Sequence, residues 1–422
     1  MPNDSQSLAA APPRPAEGKG LSAPLLMLIS LCAAVYFLDG LIHSLLGPLA
    51  PAIARSLNLS NSQLGPIFSA NLVGQCLGLI LFPIFAGRAG HRAVIIASLL
   101  GFGLAQSATG LATGATSLFV WRLITGMFLG GCLPSCLALV TAAAPDERRG
   151  LAIMMLFTGY GLGATVAGLV AAAFSTWGGW RAAALAVGVV CIVTAIFTGM
   201  WLEEPASRQA PANAGTAQRS HAFRIFSRDY LLGTLMLWLL FICMLTISYC
   251  LNSWLPTLLI EVGRDERLAA ISVSIFSLGG IVAALGVGLL IDRWGAMRTL
   301  ISFLSLSTVL LFTIGQVLAS ASATTLLILL AACGFFVLGA YGGVNVVLAS
   351  YYPEHLRAAG IGWTKSIGRV GTLMAPMLIG FGLNVGMSET TIMSSFAVPA
   401  VLAVSSLIVI AFCQTHETSI TA

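Results

Sequence analysis

Residues 288–298 read GLLIDRWGAMR, a short polar stretch between two long apolar runs at about 268–291 and 297–318. Residues 83–92 read PIFAGRAGHR and stand between two other apolar runs, so that Arg88-Ala89-Gly90 corresponds to Arg293-Trp294-Gly295. The same kind of loop thus joins successive apolar runs in both parts of the chain. This correspondence predicts an internal repeat of apolar helices.

The composition identifies the environment of those helices. Only 8% of the 422 residues are charged, 58% are hydrophobic and 45 are Gly, whereas a soluble domain carries about 25% charged residues. So few charges cannot cover the surface of a soluble protein of this length, which excludes a cytosolic enzyme, a nucleic-acid binder and a disordered chain. The chain is predicted to be a polytopic membrane protein.

The apolar runs are long enough to count as spans, because a membrane helix needs about 20 apolar residues. We predict an all-α protein with twelve transmembrane helices in two pseudo-symmetric six-helix bundles. The predicted spans are 24–48, 62–86, 93–113, 116–142, 151–174, 182–202, 230–256, 268–291, 297–318, 323–350, 359–384 and 391–413. The corresponding domains are a disordered N-terminus at 1–22, bundles at 23–203 and 230–413, a linker at 204–229 and a tail at 414–422.

The basic residues orient the bundle. With the N-terminus in the cytoplasm, most of the 20 Lys and Arg residues fall on the cytoplasmic side, and the outside receives only Arg55, Arg181, Arg264 and Arg267. The positive-inside rule therefore predicts that both termini are cytoplasmic, in a bacterial inner membrane. The net charge of +5 follows from this bias and does not indicate nucleic-acid binding. The nine Cys are interpreted as small apolar residues, with no metal or other cofactor expected.

The repeat extends beyond the loops. Gly126, Gly131 and Pro145 correspond to Gly334, Gly339 and Pro353, which relates spans four and five to spans ten and eleven. A repeat of two six-helix units is typical of transporters whose substrate site lies between the halves at mid-membrane.

The loop motif carries a family resemblance. Residues 288–298 match the pattern G-x-x-x-D-R-x-G-x-x-[RK], and the chain resembles the major facilitator superfamily, whose fold is the two-bundle arrangement predicted above. In the first-half copy, Pro83 and Gly87 replace the first Gly and the Asp. The resemblance implies that these loops hold one conformation closed at the cytoplasmic face; the gating residues would be Arg88, Gly90, Arg92, Gly288, Asp292, Arg293 and Gly295.

A narrower resemblance is to the aromatic acid:proton symporter family within that superfamily. It rests on an ordered set of stretches, namely LGPIFSA at 64–70, NSWLPTLL at 252–259, GIGW at 360–363 and GRVG at 368–371. Asp39 and Gly40 match the family's D-G-x-D on span one, whereas Ile42 replaces its second acid. The resemblance implies an aromatic carboxylate as substrate and protons as the coupling ion.

Ionisable residues inside the spans are the candidate functional groups, since a charge at the bilayer centre costs several kcal/mol. Asp39 and His43 lie one turn apart on span one, and such a pair can bind and release a proton near neutral pH. We interpret them as the proton-coupling site. The alternatives are a structural pair that anchors span one and a pair that hydrogen-bonds the substrate.

An organic carboxylate needs a desolvated cation, and Arg offers two parallel donors. The candidate substrate-binding residues combine cations with aromatic and amide side chains: Arg122, Arg369, Lys365, Tyr249, Tyr341, Asn252 and Asn345. The alternatives are helix packing for Arg122 and Arg369, and extension of Lys365 to the cytoplasmic rim. Trp254 is interpreted as an anchor near the outer surface.

Together these features predict a monomeric secondary active transporter that imports an aromatic or related carboxylate with protons by alternating access. The alternative is a proton-coupled exporter or antiporter of organic anions or drugs. No enzyme is expected, because Asp39 and His43 have no nucleophile nearby in the sequence.

Overall fold

The computed structural model describes residues 23–145, 148–202 and 225–420. The predictions made for 1–22 and for most of the linker at 204–229 lie outside the described residues. Most of the predicted tail, at 414–420, is described only as helical backbone.

Within this part of the chain the fold is all helical, and twelve helical segments are long and apolar enough to cross a membrane, as predicted. The twelfth span consists of α12 and most of α13. The helices are α1 (Ala23–Leu57), α2 (Asn61–Ala89), α3 (His91–Thr109), α4 (Ala115–Ala143), α5 (Arg149–Phe174), α6 (Gly179–Trp201), α7 (Arg228–Glu261), α8 (Glu266–Trp294), α9 (Ala296–Val317), α10 (Ala323–Tyr351), α11 (Glu354–Asn384), α12 (Glu389–Ser395) and α13 (Ala397–Ile420).

Several helices are longer than the apolar runs that predicted them. Helix α1 continues to Leu57 with Pro48 and Pro51 inside it, and α13 continues to Ile420. Backbone hydrogen bonding, which defines a helix, does not stop where the side chains become polar. The apolar length therefore marks the membrane core rather than the helix ends.

Buried apolar side chains form two clusters. One is built mainly from residues of α1 to α6 and the other from residues 225–410. Trp254 of α7 and Ala270 of α8 are exceptions, because both pack in the first cluster. The buried apolar side chains thus fall into two groups, one for each half of the chain. The bounds 23–203 and 230–413 stay a prediction.

The repeated loops adopt one backbone conformation. Gly90 has φ 86° and ψ 159°, and Gly295 has φ 82° and ψ 152°. Each amide donates to the carbonyl four residues earlier, that of Ala86 at 3.0 Å or Ile291 at 2.8 Å. Only Gly adopts such positive φ values readily, which explains why both copies keep it.

The packing of helix pairs repeats as well. A Cβ at Gly126 of α4 would strike the Asn71 carbonyl on α2, and a Cβ at Gly334 of α10 would strike the Phe276 carbonyl on α8. Glycine thus lets the backbones of both pairs approach closely, as small residues do in membrane bundles.

The two halves meet most closely at the end that holds the last turns of α1 and α7 and the first turns of α2 and α8, which we call the closed end. There Gly47 lies against the Asn252 carbonyl, and the Ser69 hydroxyl donates to the Leu373 carbonyl at 2.8 Å. The opposite end, called the loop end, carries residues 88–92 and 293–298. Arg92 donates there to the Gly199 carbonyl of its own half at 2.6 Å.

Candidate functional site

Asp39 lies in the middle of α1 with only 1% of its surface exposed. One carboxyl oxygen, Oδ1, is buried and has no hydrogen-bond partner among the described residues. An unpaired carboxylate in such a site is costly to keep charged, because neither water nor a donor solvates it. Protonation of the carboxyl group would remove this cost.

His43 follows one turn later on α1 and contacts both halves. Its Nδ1 lies 3.3 Å from the amide nitrogen of Asn71 on α2. Its ring is 5.0 Å from that of Tyr249 on α7, in an edge-to-face arrangement, and 6.2 Å from that of Tyr160 on α5. The imidazole therefore links the first half to the second at the level of Asp39.

Arg369 on α11 supplies a cation between the halves. Its Nη1 lies 3.5 Å from Oε1 of Gln75 on α2 and 3.9 Å from Sγ of Cys76. The guanidinium is partly buried and its charge reaches both Asp39 and His43. The neutral Gln75 leaves the positive charge without a counter-ion in this contact.

Aromatic side chains of both halves lie near this group, since Tyr160 and Tyr249 both contact the ring of His43. The Tyr36 and Tyr160 rings lie 5.2 Å apart, and the Tyr341 ring lies 6.5 Å from that of Phe241. Tyr36, Tyr249 and Tyr341 are all within electrostatic range of Arg369. Rings around a cation provide stacking surfaces and hydroxyl groups for an aromatic anion.

Arg122 occupies a different position, inside the first half. Only 1% of it is exposed, and its Nη atoms donate to Oε1 of Gln106 at 3.0 Å and to the Ile42 carbonyl at 3.3 Å. Ile42 is the neighbour of His43 on α1. This arrangement favours a positioning role for Arg122 over direct contact with a substrate.

The remaining predicted substrate residues differ in placement. Lys365 is exposed one turn before Arg369. The Asn345 amide nitrogen donates to the carbonyls of Tyr341 and Gly342 on its own helix, at 3.0 and 3.2 Å. Asn252 lies beside Gly47 at the contact of α7 with α1. Of this group, Tyr249 and Tyr341 belong to the surroundings of Arg369.

Trp254 is not an anchor at the membrane surface. It is fully buried, with its ring 5.2 Å from that of Phe68 on α2. The interpretation as an anchor was wrong because the residue lies near the end of a span but faces the other half. Trp363, also aromatic and on α11, stacks instead on Trp238 at 6.2 Å.

The predicted gating residues lie at the loop end, where α2 meets α3 and α8 meets α9. Arg88 and Gly90 stand at the first junction, and Gly288, Asp292, Arg293 and Gly295 at the second. Asp292 and Arg293 form no ion pair with any residue that the structure describes. The gating role of these residues stays a prediction.

Sequence reasoning missed the uncharged partners of the charged groups. They are Asn71, Gln75 and Gln106, which contact His43, Arg369 and Arg122, together with Tyr36 and Tyr160. Asn71 and Gln75 are amides one turn apart within span two. Polar amides inside a span were the signal that could have identified them.

A family model described as Major Facilitator Superfamily matches residues 32–376 and 237–419. The 4-hydroxybenzoate transporter PcaK of Pseudomonas putida is 31% identical over 410 residues, which cover 90% of this chain and 91% of that protein. The gallate transporter of P. putida is 29% identical, covering 93% of each. The 3-(3-hydroxy-phenyl)propionate transporter of Escherichia coli K12 is 31% identical, covering 90% of this chain and 92% of that protein.

Solved structures show similarity of fold. A bacterial homologue of the human lysosomal transporter Spinster, in an inward-facing and occupied conformation, has a TM-score of 0.77 at 16% identity. The match covers 93% of this chain and 98% of that one. The D-xylose-proton symporter has a TM-score of 0.74 at 14% identity, with 91% of this chain and 97% of that one covered.

Proposed function

Because the chain belongs to the major facilitator superfamily, and within it to the aromatic acid transporters, we propose that it imports a small aromatic carboxylate together with protons. It is a transporter and not an enzyme. The relatives named for 4-hydroxybenzoate, gallate and hydroxyphenylpropionate support an aromatic acid as the substrate class.

The observation that carries this proposal is the position of Arg369. It lies between the halves, partly exposed, against the neutral Gln75 and within range of three tyrosines. A substrate carboxylate would bind the guanidinium through paired charge-assisted hydrogen bonds, and its ring would stack on the tyrosines. An anion there would also supply the counter-ion that Gln75 cannot.

Asp39 and His43 are the proposed proton-coupling pair. A proton on Asp39 removes a buried charge that has an unsatisfied oxygen, so its binding offsets the cost of burial. When one proton enters with one monovalent substrate anion, the transported charges sum to zero. Each further proton adds a driving force of about 2.3 kcal/mol per 100 mV of membrane potential.

Alternating access would rock the bundle at 23–203 against that at 230–413. The close contacts of Gly47 with α7 and of Ser69 with α11 support a state in which the closed end is sealed. The positive-inside rule supports an orientation in which the closed end faces the periplasm and the loop end faces the cytoplasm, with both termini on the cytoplasmic side of a bacterial inner membrane. Ion pairs of Asp292 and Arg293 would then form when the loop end closes. We propose that the transporter works as a monomer.

The test is uptake of labelled 4-hydroxybenzoate and related acids into vesicles that contain the protein, with and without an inwardly directed proton gradient. We expect concentrative uptake that disappears when a protonophore collapses the gradient, with protein-free vesicles as the control. Concentrative uptake that survives the protonophore would refute proton coupling. Loss of preloaded acid against its gradient would favour the exporter instead.

A further inference from the structure

A cavity lies between the halves at the closed end, away from Asp39 and Arg369. Its volume is about 640 Å³ and its walls combine Leu383 and Ile260 with the polar residues Arg55, Asn61 and Glu261. A space of this size accepts a small organic molecule. We call it the outer vestibule.

The two charged residues of the outer vestibule, Glu261 and Arg55, have different kinds of partner. Glu261 accepts a hydrogen bond from the Asn61 amide across the halves at 3.3 Å. Arg55 is the one cation among the described residues that line the cavity, and its Nη2 pairs with Glu266 of α8. Its Nε lies 3.4 Å from the Pro51 carbonyl. The partner of Arg55 is thus a carboxylate that stands outside the lining.

Thr257 on α7 adds an unsatisfied polar group to the wall. Its side chain is 97% buried, since only 3% is exposed, and its hydroxyl has no hydrogen-bond partner among the described residues. A buried hydroxyl without a partner is a cost that the surrounding packing must bear. The outer vestibule therefore offers an occupant one cation, Arg55, and apolar walls, beside the carboxylate of Glu261 that Asn61 already engages.

We propose that the outer vestibule is an entry site for the transported carboxylate. In this site Arg55 binds the substrate carboxylate, and the Glu266 carboxylate competes with the substrate for Arg55. The proposal rests on the proposed direction of import. An incoming carboxylate would take the place of Glu266 on Arg55 and break the ion pair that joins α1 to α8. Arrival of the substrate would then release a contact that helps to keep this end closed.

Two substitutions distinguish this proposal from the alternative that the ion pair only holds the closed end together. Arg55→Gln and Glu266→Gln both break this ion pair, so the alternative predicts that both change KM for uptake in the same direction. An entry site predicts opposite effects on KM. Arg55→Gln removes the guanidinium that binds the substrate, whereas Glu266→Gln leaves that guanidinium without its competing carboxylate. We expect KM to rise about two- to fivefold in Arg55→Gln and to fall in Glu266→Gln, the size that suits an exposed charge pair.

The experiment measures initial uptake rates against concentration for a panel of aromatic and aliphatic carboxylates. Arg267→Gln, an exposed cation at the same end that does not line the cavity, is the control for general surface charge and should leave KM unchanged. The double variant Arg55→Gln/Glu266→Gln should behave like Arg55→Gln alone.

Changes of KM in the same direction for the two single variants, or an unchanged KM in Arg55→Gln, would overturn the proposal. The protein could instead carry an aliphatic acid and no aromatic acid. If KM for that aliphatic acid then rose in Arg55→Gln and fell in Glu266→Gln, the result would uphold the entry site and refute the proposed substrate class. A protein that carries no carboxylate at all would refute both.

Discussion

Arg369 of the second half points at Gln75 of the first, with 3.5 Å between the guanidinium nitrogen Nη1 and the amide oxygen Oε1. The contact crosses the interface about which the halves are proposed to move. It also joins a full charge to a neutral dipole, an arrangement that an anionic ligand improves. The contact therefore lies where the proposed substrate binding would bear on the packing of one half against the other.

Removing this charge should weaken substrate binding. We expect Arg369→Gln to lower kcat/KM for aromatic acid uptake at least about tenfold, since charge-assisted hydrogen bonds contribute about 1.5–3 kcal/mol. Arg369→Lys should retain part of the activity, because a point charge replaces the paired donors. Lys365→Gln, one turn away and exposed, is the comparison. A larger effect at Lys365 would place the carboxylate one turn nearer the loop end.

Replacing the buried acid should separate coupling from transport. Asp39→Asn cannot exchange a proton but keeps the size of the side chain, so we expect it to abolish accumulation while sparing exchange of internal for external substrate. Glu389→Gln, at the start of α12 and far along the chain from α1, serves as the control. Full accumulation by Asp39→Asn would remove Asp39 from the coupling role.

The neighbours of Arg122 should matter for stability more than for affinity. Gln106→Leu deprives the buried guanidinium of one acceptor and leaves the Ile42 carbonyl as its other bond. We expect a loss of about 1–3 kcal/mol in stability, measured as a lower thermal midpoint in detergent. KM should stay near that of the unaltered protein. A rise in KM with unchanged stability would instead assign Arg122 to the substrate.

The close packing of α1 on α5 should be sensitive to a single methyl group. A Cβ at Gly163 would strike the Phe37 carbonyl, whereas a Cβ at Gly150, in the same helix, meets nothing within 4 Å. We expect Gly163→Ala to lower stability by about 1–3 kcal/mol through overpacking. Gly150→Ala should be neutral or slightly stabilising, since Ala favours helix. Equal thermal midpoints for the two variants would contradict this packing.

Much of the fold followed from local properties of the chain. The twelve spans needed only runs of apolar residues, and the repeat needed only the Gly and Arg residues of the two loops. The predicted helix ends were less accurate, as α1 and α13 show, because backbone hydrogen bonding continues beyond the last apolar residue of the run.

The site was only partly predictable. Asp39, His43, Arg122 and Arg369 stood out because an ionisable group inside a span is costly. Their spacing in the sequence could not show that Arg369 lies between the halves whereas Arg122 is enclosed within the first half. Trp254 illustrates the same limit, since the face that a residue presents depends on the neighbouring helix.

The amino-acid sequence by itself therefore determined that the chain spans a membrane twelve times in two related halves, and which few charges the spans retain. Hydrophobicity and charge are properties of single residues, and the bilayer acts on them directly. Only the tertiary structure decided that Arg369 meets Gln75, that Arg122 is enclosed by α1 and α3, and that Arg55 pairs with Glu266. Such contacts join residues far apart in the chain, and the packing of whole helices selects them.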